Sequence, residues 1–252
     1  MQNYEFPIEV SHLTMAYGSR VIMDDLSFSV KKGEVFLVIG PSGCGKSTLL
    51  RHLIGLQAPQ KGTIKLLGRD FWGMTETEQQ KFMQHIGILY QRCGLWSSMT
   101  LAENIALPLQ LYTGLPQKEI REICTAKLEL VGLAGFEDYY PSEISGGMQK
   151  RAGLARALAL DPEILFFDEP SAGLDPVSAM NLDRLILELR NSLGTTLVFV
   201  THDLDSIFTV GSDAIFLDPK THSIAGRGTP QDLLQNPPTP AIQEFLTRAG
   251  GR

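Results

Sequence analysis

The run Gly40-Pro41-Ser42-Gly43-Cys44-Gly45-Lys46-Ser47 follows the spacing G-x-x-x-x-G-K-[ST]. It stands between an apolar run, Val35-Phe36-Leu37-Val38-Ile39, and a helical pattern that begins at Thr48. Strand, loop and helix in that order make it a phosphate cradle. Glycines let the backbone turn until successive N–H groups converge on phosphate oxygens, and the start of a helix adds partial positive charge. In such a loop Lys46 reaches the β- and γ-phosphates and the Ser47 hydroxyl ligates Mg²⁺. The implied ligand is a triphosphate with its metal. A glycine-rich turn that binds nothing is the bland alternative, and the flanking strand and helix argue against it.

The chain has 252 residues, long enough for one large domain or two small ones with a substantial core. A net charge of −6 and a pI near 5.4 argue against a nucleic-acid partner, which would need a basic face for phosphate contacts. No apolar stretch approaches the roughly eighteen residues that span a bilayer, and Met1–Val10 has neither a basic nor an apolar leader region. The expectation is a cytosolic chain whose membrane role, if any, runs through a partner. Cys44, Cys93 and Cys124 have no C-x-x-C spacing and give no metal site. Cys93 and Cys124 read as packing residues. Cys44 lies inside the loop at a helix N-terminus, so its thiol pKa is expected to be lowered and the thiol to be reactive unless nucleotide covers it.

Ile8-Glu9-Val10 and Leu26-Ser27-Phe28-Ser29-Val30 alternate apolar and polar residues, with Lys31-Lys32-Gly33 as a turn, and predict an antiparallel sheet. Short runs without alternation follow at Val35–Ile39, Ile86–Tyr90, Ile164–Phe167, Leu197–Val200 and Ala214–Leu217, and predict strands of a parallel α/β core covered on both faces. From about Arg92 to Leu160 no such run occurs, and Ile120, Ile123, Cys124, Leu128 and Val131 form one helical stripe, so this block reads as a helical insertion. A second stripe, Leu182, Leu185, Ile186, Leu189 and Leu193, belongs to the core. Pro108, Pro116 and Pro141 are expected to limit helix length within the insertion, and Asn236–Pro240 to be a linker to one last short helix.

Ile164-Leu165-Phe166-Phe167-Asp168-Glu169 is an apolar strand ending in two carboxylates, which puts both at the edge where α/β sheets bind ligands. In nucleotide hydrolases with such a loop, an acid here helps hold Mg²⁺ and a neighbouring one can polarise the attacking water. Ser145-Gly146-Gly147 opens a helical run from Met148 to Leu160, and a capped helix that binds nothing accounts for these three residues equally well. Read on to Ile144-Ser145-Gly146-Gly147-Met148-Gln149-Lys150-Arg151, however, the stretch resembles the signature motif of ATP-binding cassette (ABC) ATPases. Within that resemblance Tyr17 is similar to the family's adenine-stacking aromatic, and Gln91 to the Q-loop glutamine that ligates Mg²⁺ and senses a transmembrane partner. Ser171-Ala172-Gly173-Leu174-Asp175 is similar to the D-loop, and His202 to the switch histidine that contacts the γ-phosphate. The motifs occur in the family's order from Ile8 to about Gly228.

One departure is Met148, where the family signature usually has glutamine. With Leu89-Tyr90-Gln91-Arg92-Cys93-Gly94-Leu95-Trp96 and Ala106-Leu107-Pro108-Leu109, it resembles cassettes paired with MCE-type lipid-binding proteins, the phospholipid-trafficking ATPases of the Mla kind. The fold implied is a P-loop NTPase (RecA-like) parallel core with an N-terminal antiparallel β subdomain and a helical insertion. Residues 6–230 would form the cassette: 6–34 and 62–68 the antiparallel part, 35–61, 69–91 and 161–230 the core, 92–160 the helical part. A C-terminal linker and helix would occupy 231–252.

The resemblance implies an ATPase using ATP and Mg²⁺. ATP would be held by Tyr17, by Gly40, Pro41, Ser42, Gly43, Cys44, Gly45, Lys46, Ser47 and Thr48, by Gln91, and from the signature by Ser145, Gly146 and Gly147, with Asp175. Ser47, Gln91 and Asp168 would serve the metal, and Glu169, His202 and Lys46 the chemistry. Partners would be an integral-membrane permease on the cytoplasmic face of the inner membrane, a second copy of the cassette closing head to tail, and MCE-type and small accessory subunits, with no nucleic acid. Leu95, Trp96, Met99 and Leu101 follow Gln91 and are candidates for receiving the permease's coupling helix. Alternatives are an ABC ATPase for another solute and a soluble non-transport ABC protein. The second usually carries two cassettes or a long coiled coil, and this chain has one phosphate loop and no heptad run. Because Ser145 and the backbone N–H groups of Gly146 and Gly147 would make the chief phosphate contacts, Met148→Gln is expected to hydrolyse ATP within a few-fold of the unmodified rate in a steady-state assay. A hundredfold loss, roughly 2.7 kcal/mol, would mark Met148 as part of the machinery.

Overall fold

A computed structural model describes residues 4–247. The N-terminal alternation becomes two long paired strands, β1 (Ile8–Tyr17) and β2 (Arg20–Val30). The buried run after the lysine turn is β3 (Val35–Ile39), followed by α1 (Lys46–Leu53). Next come β4 (Lys61–Leu66), the two-residue β5 (Arg69–Asp70), α2 (Glu76–Phe82) and β6 (Ile86–Leu89). Three helices fill the stretch without strands: α3 (Leu101–Tyr112), α4 (Gln117–Leu130) and α5 (Gly146–Ala157). The chain then returns through β7 (Ile164–Asp168), α6 (Pro176–Leu193), β8 (Thr196–Val200), α7 (Leu204–Val210) and β9 (Asp213–Asp218). It ends with β10 (Ser223–Gly228), α8 (Pro230–Gln235) and α9 (Pro240–Thr247).

Two sheets result. The larger has the order β10-β9-β3-β8-β7-β6 and is parallel except for β10; the smaller, β2-β1-β4-β5, is antiparallel. The lack of alternation in β3 has a direct cause. Val35, Leu37 and Ile39 enter a core shared with α3 to α9, whereas Phe36 and Val38 enter a second core shared with the smaller sheet and α1. Phe28 of β2 stacks on Phe36 at 5.4 Å between centroids, fastening one sheet on the other.

Proline was a poor guide to helix length. Pro116 precedes α4 and Pro141 opens a short 3₁₀ turn, but Pro108 lies inside α3. Buried Ile105, Ala106 and Leu109 flank it, so tertiary burial on both sides outweighs the lost backbone bond, a penalty of about 3 kcal/mol in an isolated helix. The C-terminal stretch holds a helix that the sequence reading did not expect, α8, and Asn236–Pro240 joins it to α9. Leu233, Ile242 and Leu246 bury into the helical-side core, so the expected linker runs between two packed helices. Residues 248–252 of that expected segment lie outside the described residues. Leu193, the last residue of the α6 stripe, is exposed.

α6 and α7 are tied by a buried polar pair, Ser206 Oγ donating to Asp183 Oδ2 at 2.7 Å. Burial raises the Asp183 carboxyl to about 6, helped by the charge of Asp203 and opposed by the Ser206 bond. The folded chain therefore keeps this proton at a pH where the unfolded chain, with a carboxyl near the ordinary value of about 3.9, has lost it. Stability from this group is complete below about pH 4 and is lost as pH rises through about 6. Relative to Asp183→Asn, which does not titrate, the unmodified chain is expected to lose stability, read as a falling melting temperature, between about pH 4 and 7, by at most about 3 kcal/mol. A difference between the two chains that stays constant across that range would free Asp183 of this role.

Candidate active site

Parallel pairing sets the site. β8 lies between β3 and β7, and its Val200 is level with Val38 on one side and Asp168 on the other. All three strands therefore end in one row, and the loops that leave them start side by side. These are the glycine-rich loop after Ile39, the segment Glu169–Asp175, and Thr201-His202-Asp203.

In the loop, Gly40 has φ 147°, and a Cβ there would lie 2.6 Å from the Leu217 carbonyl oxygen, so only glycine fits. Gly43, at φ 78°, has nothing within 4 Å of where a side chain would start, which leaves its backbone open. Lys46 is buried and its Nζ donates to the carbonyls of Gly40 at 2.8 Å and Pro41 at 3.1 Å. The ammonium is thus held over the loop by neutral acceptors, which phosphate oxygens outcompete. Ser47 is exposed beside it and Thr48 half-buried. Tyr17 presents an exposed ring, with its hydroxyl 3.5 Å from Thr48 Oγ1 and receiving Arg51 Nη1 at 3.2 Å. Those bonds, Thr48 foremost, draw the phenol below its ordinary pKa.

Cys44 departs from expectation. It is buried with its side chain turned under the loop, and burial raises its thiol pKa despite Lys46 and the backbone N–H groups nearby. α1 starts at Lys46, so desolvation outweighs the helix terminus and the thiol is not activated. Cys93 and Cys124 are buried and raised for the same reason, as packing residues are.

The two acids part at the end of β7. Asp168 is half-buried, and burial followed by the charge of Glu169 raises its pKa; Arg51, Lys150 and Lys46 pull the other way. Glu169 turns off the strand at φ 48°, a conformation of the left-handed region that a non-glycine residue adopts at a cost of about 1–3 kcal/mol. Its N–H donates to the Val200 carbonyl at 2.8 Å, anchoring the turn to β8. The carboxylate receives His202 Nδ1–H at 2.6 Å on Oε1, and Thr201 Oγ1 lies 3.5 Å from Oε2. His202 is thereby oriented by an acid on the neighbouring strand, with Nε2 left for another group.

Ser145, Gly146, Gly147 and Asp175 form a second cluster, on α5 and α6. Ser145 caps α5, its Oγ accepting from Met148 N at 3.3 Å, so the helix starts two residues earlier than the sequence reading had it and both glycines sit in its first turn. Asp175 caps α6, accepting from Val177 N, Ser178 N and Ser178 Oγ, and these bonds lower its pKa. Ser178 is also the nearest neighbour of Gly147. Gln91 is exposed at the end of β6. Sequence reasoning missed two supports, the bond from Ser171 of the D-loop-like run to Asp203 and the grip of Asn104. Ser171 Oγ donates to Asp203 Oδ2 at 3.0 Å, linking the turn after β7 to the residue after His202, while Asp203 also caps α7. Buried Asn104 grips the loop after Gln91, accepting Trp96 N at 2.7 Å and donating to the carbonyls of Trp96, Met99 and Thr100. An invariant sequence signal for such residues does not exist; a lone asparagine in a helical pattern is silent.

The ABC transporter family matches residues 23–172, more than half of the chain and the whole row of phosphate loop, signature and paired acids. The chain belongs to the ABC transporter family. It is 41% identical over 239 residues, 95% of this chain and 68% of the relative, to the probable ribonucleotide transport ATP-binding protein mkl of Mycobacterium leprae. It is 40% identical over 97% of its length, and 92% of the relative's, to the intermembrane phospholipid transport system ATP-binding protein MlaF of Haemophilus influenzae. Among solved structures it resembles an ATP-binding cassette dimer in a post-hydrolysis state with ADP and Pi, at TM-score 0.80, 28% identity and coverage of 88% of this chain and 98% of that one. A Clostridium perfringens cassette from the cbiONQ ABC transporter complex gives TM-score 0.84 at 25% identity, covering 98% of each chain.

As an ABC ATPase the chain hydrolyses ATP with Mg²⁺, works as a dimer and has a membrane permease as its partner. The residues fit that cofactor. Among the described residues no group of three or more His, Cys, Asp or Glu side chains is arranged to hold a metal. Mg²⁺ typically takes one or two carboxylates and leaves the rest of its shell to phosphates and water, and one half-buried acid, Asp168, at the sheet edge from which the loop carrying Ser47 also leaves, suits that pattern. If Glu169 accepts the proton of the attacking water, Glu169→Gln keeps ATP binding within about twofold and lowers turnover by roughly 10²–10⁴. Nucleotide titration alongside phosphate release checks both halves, and an unchanged rate removes Glu169 from the reaction.

Proposed function

We propose that this ABC ATPase powers the movement of phospholipid between membranes. Its likeness to MlaF over nearly the full length of both chains carries the reading. The mkl relatives, named for ribonucleotide transport, make nucleotide export or import the second reading.

In the mechanism we favour, two copies close head to tail. Lys46 and the loop amides hold the phosphates of one ATP, Tyr17 stacks on its base, and Ser47, Gln91 and Asp168 serve its metal. Ser145, Gly146, Gly147 and Asp175 of the other copy close over it. Glu169 orients and deprotonates the attacking water, held in place by its bonds to His202 and Val200. His202 and Lys46 offset charge that builds on the transferred phosphoryl group.

The permease would dock on the side where β6 meets the helices, at the cytoplasmic face of the inner membrane, with MCE-type and small accessory subunits as further partners. No helix of the described residues is long and apolar enough to cross a membrane. A groove of about 750 Å³ there is lined by Met83, Ile88, Tyr90, Leu107, Leu111 and Arg156, and it begins one residue before Gln91. It is apolar and wide enough to take a short amphipathic helix. Of the four apolar residues first considered for docking, Leu101 is core, Leu95 and Met99 are half-buried, and Trp96 is 62% exposed. Trp96 alone remains a docking candidate, and Leu111 joins it.

The test is to purify the cassette with its membrane partner, reconstitute it, and follow ATP-dependent transfer of labelled phospholipid between vesicles beside uptake of labelled ribonucleotide. Phospholipid transfer is the expected result, and ribonucleotide uptake alone would replace it by the second reading. Trp96→Glu is expected to melt within about 2 °C of the unmodified chain and to bind ATP, because its side chain stands in solvent, yet to lose several-fold in co-purification with the permease. Full assembly and transfer by the folded variant would remove Trp96 from the docking face.

A further inference from the structure

The segment after β6 is held from behind by the helix that carries Ser145. Lys150, in the second turn of α5, is only 4% exposed, and its Nζ donates to the Gln91 carbonyl at 2.6 Å. Further along the helix, Arg156 donates Nη2 to the Cys93 carbonyl at 3.0 Å and Nη1 to the Gly94 carbonyl. Gly153 between them permits the close approach. A Cβ there would lie 2.8 Å from Leu89 Cδ1 and 3.2 Å from both Cβ and the carbonyl oxygen of Cys93. Gly87 in β6 meets the Ala157 carbonyl with equally little room. α5 thus lies against β6 and the following loop along most of its length.

The loop is shaped around these two cations. Cys93 sits at φ 58°, rarely adopted by a non-glycine residue, and is held from both sides: its N–H donates to the Tyr90 carbonyl at 2.8 Å and its own carbonyl takes Arg156. At Gly94 a side chain would run into Arg156 Nη2 at 2.7 Å. Burial depresses the pKa of both Lys150 and Arg156, so the first is a charge withdrawn from water and the second one partly withdrawn, at the edge of the groove, and both are given backbone carbonyls instead. Bonds with a charged donor are roughly twice as strong as neutral ones.

We infer that Lys150 and Arg156 are positioning residues that join residues 91–94 and α5 into one rigid unit, so that a load on the loop is delivered to Ser145 at the start of the helix. This rests on the reading in which the permease docks beside Gln91 and Ser145 serves the nucleotide of the other copy. A close-packed helix transmits displacement instead of absorbing it, so permease motion reaches the opposite ATP without any contact between the two.

Two measurements decide it, the first on Arg156→Met, Lys150→Met and the conservative Arg156→Lys, the second on the two Arg156 variants. The first is amide hydrogen exchange on the full chain. Arg156→Met is expected to speed exchange about tenfold both in 91–96 and in 149–153, one turn up the helix, and Arg156→Lys to stay nearer the unmodified chain. Faster exchange confined to 91–96, or no change, overturns the clamp. If Arg156→Met melts as a whole, Lys150→Met and Arg156→Lys are read by the same criterion. The second is ATPase rate with and without the permease. The two Arg156 variants are expected to keep the isolated rate and ATP affinity within about twofold and to assemble, and Arg156→Met to lose about tenfold of the stimulation that assembly brings; Lys150, whose charge also acts on Asp168, is judged by exchange alone. Full stimulation in assembled Arg156→Met, or an equal loss in the isolated cassette, overturns the proposal. If the unmodified cassette gains no rate on assembly, the docking reading fails separately and the exchange result still judges the clamp.

Discussion

The row of loops that forms the candidate site depends on parallel pairing of β3, β8 and β7 in one register. Val38, Val200 and Asp168 stand level across the sheet, so three loops far apart in sequence leave it at one edge. The register holds because both faces of these strands are buried. A one-residue slip would exchange Val35, Leu37 and Ile39 with Phe36 and Val38 between two differently shaped cores. Stacking of Phe167 on Phe199, with centroids 4.3 Å apart, adds a side-chain check on the β7–β8 pair.

That edge concentrates charge that would be unfavourable elsewhere. Two adjacent acids, one half-buried with a raised pKa and one on strained backbone, sit near a buried lysine. The strain at Glu169 is offset by its bonds to Val200 and His202, and Asp168 gains partial compensation from Lys46, Arg51 and Lys150. A site in this state is prepared for a polyanion with its cation, because each would relieve a tension already present.

Around the edge, polar side chains convert loops into fixed surfaces. Asn104 alone satisfies three carbonyls and one N–H of the loop after Gln91; Ser171 and Asp203 bind the turn after β7 to the start of α7. Asn104 and Asp203 belong to no motif, and Ser171 opens the D-loop-like run. Each is needed because a loop that must hold its shape has backbone groups without a strand or helix to satisfy them.

The sequence by itself determined what has a local cause. The phosphate loop follows from glycine spacing, the parallel strands from runs without alternation, the cap of α5 from Ser145, and the paired acids from their place at a strand end. Resemblance then supplied the order of motifs that made the family legible. Tertiary structure decided what depends on neighbours distant in the chain. Burial reversed the expected activation of Cys44, packing on both sides let α3 run through Pro108, and the core recruited the C-terminal helices. It also separated Trp96, left in solvent, from Leu101, taken into the core, although both are large apolar residues in one short segment. Periodicity records which face of an element is apolar, whereas desolvation and contact are set by what the fold brings against that face.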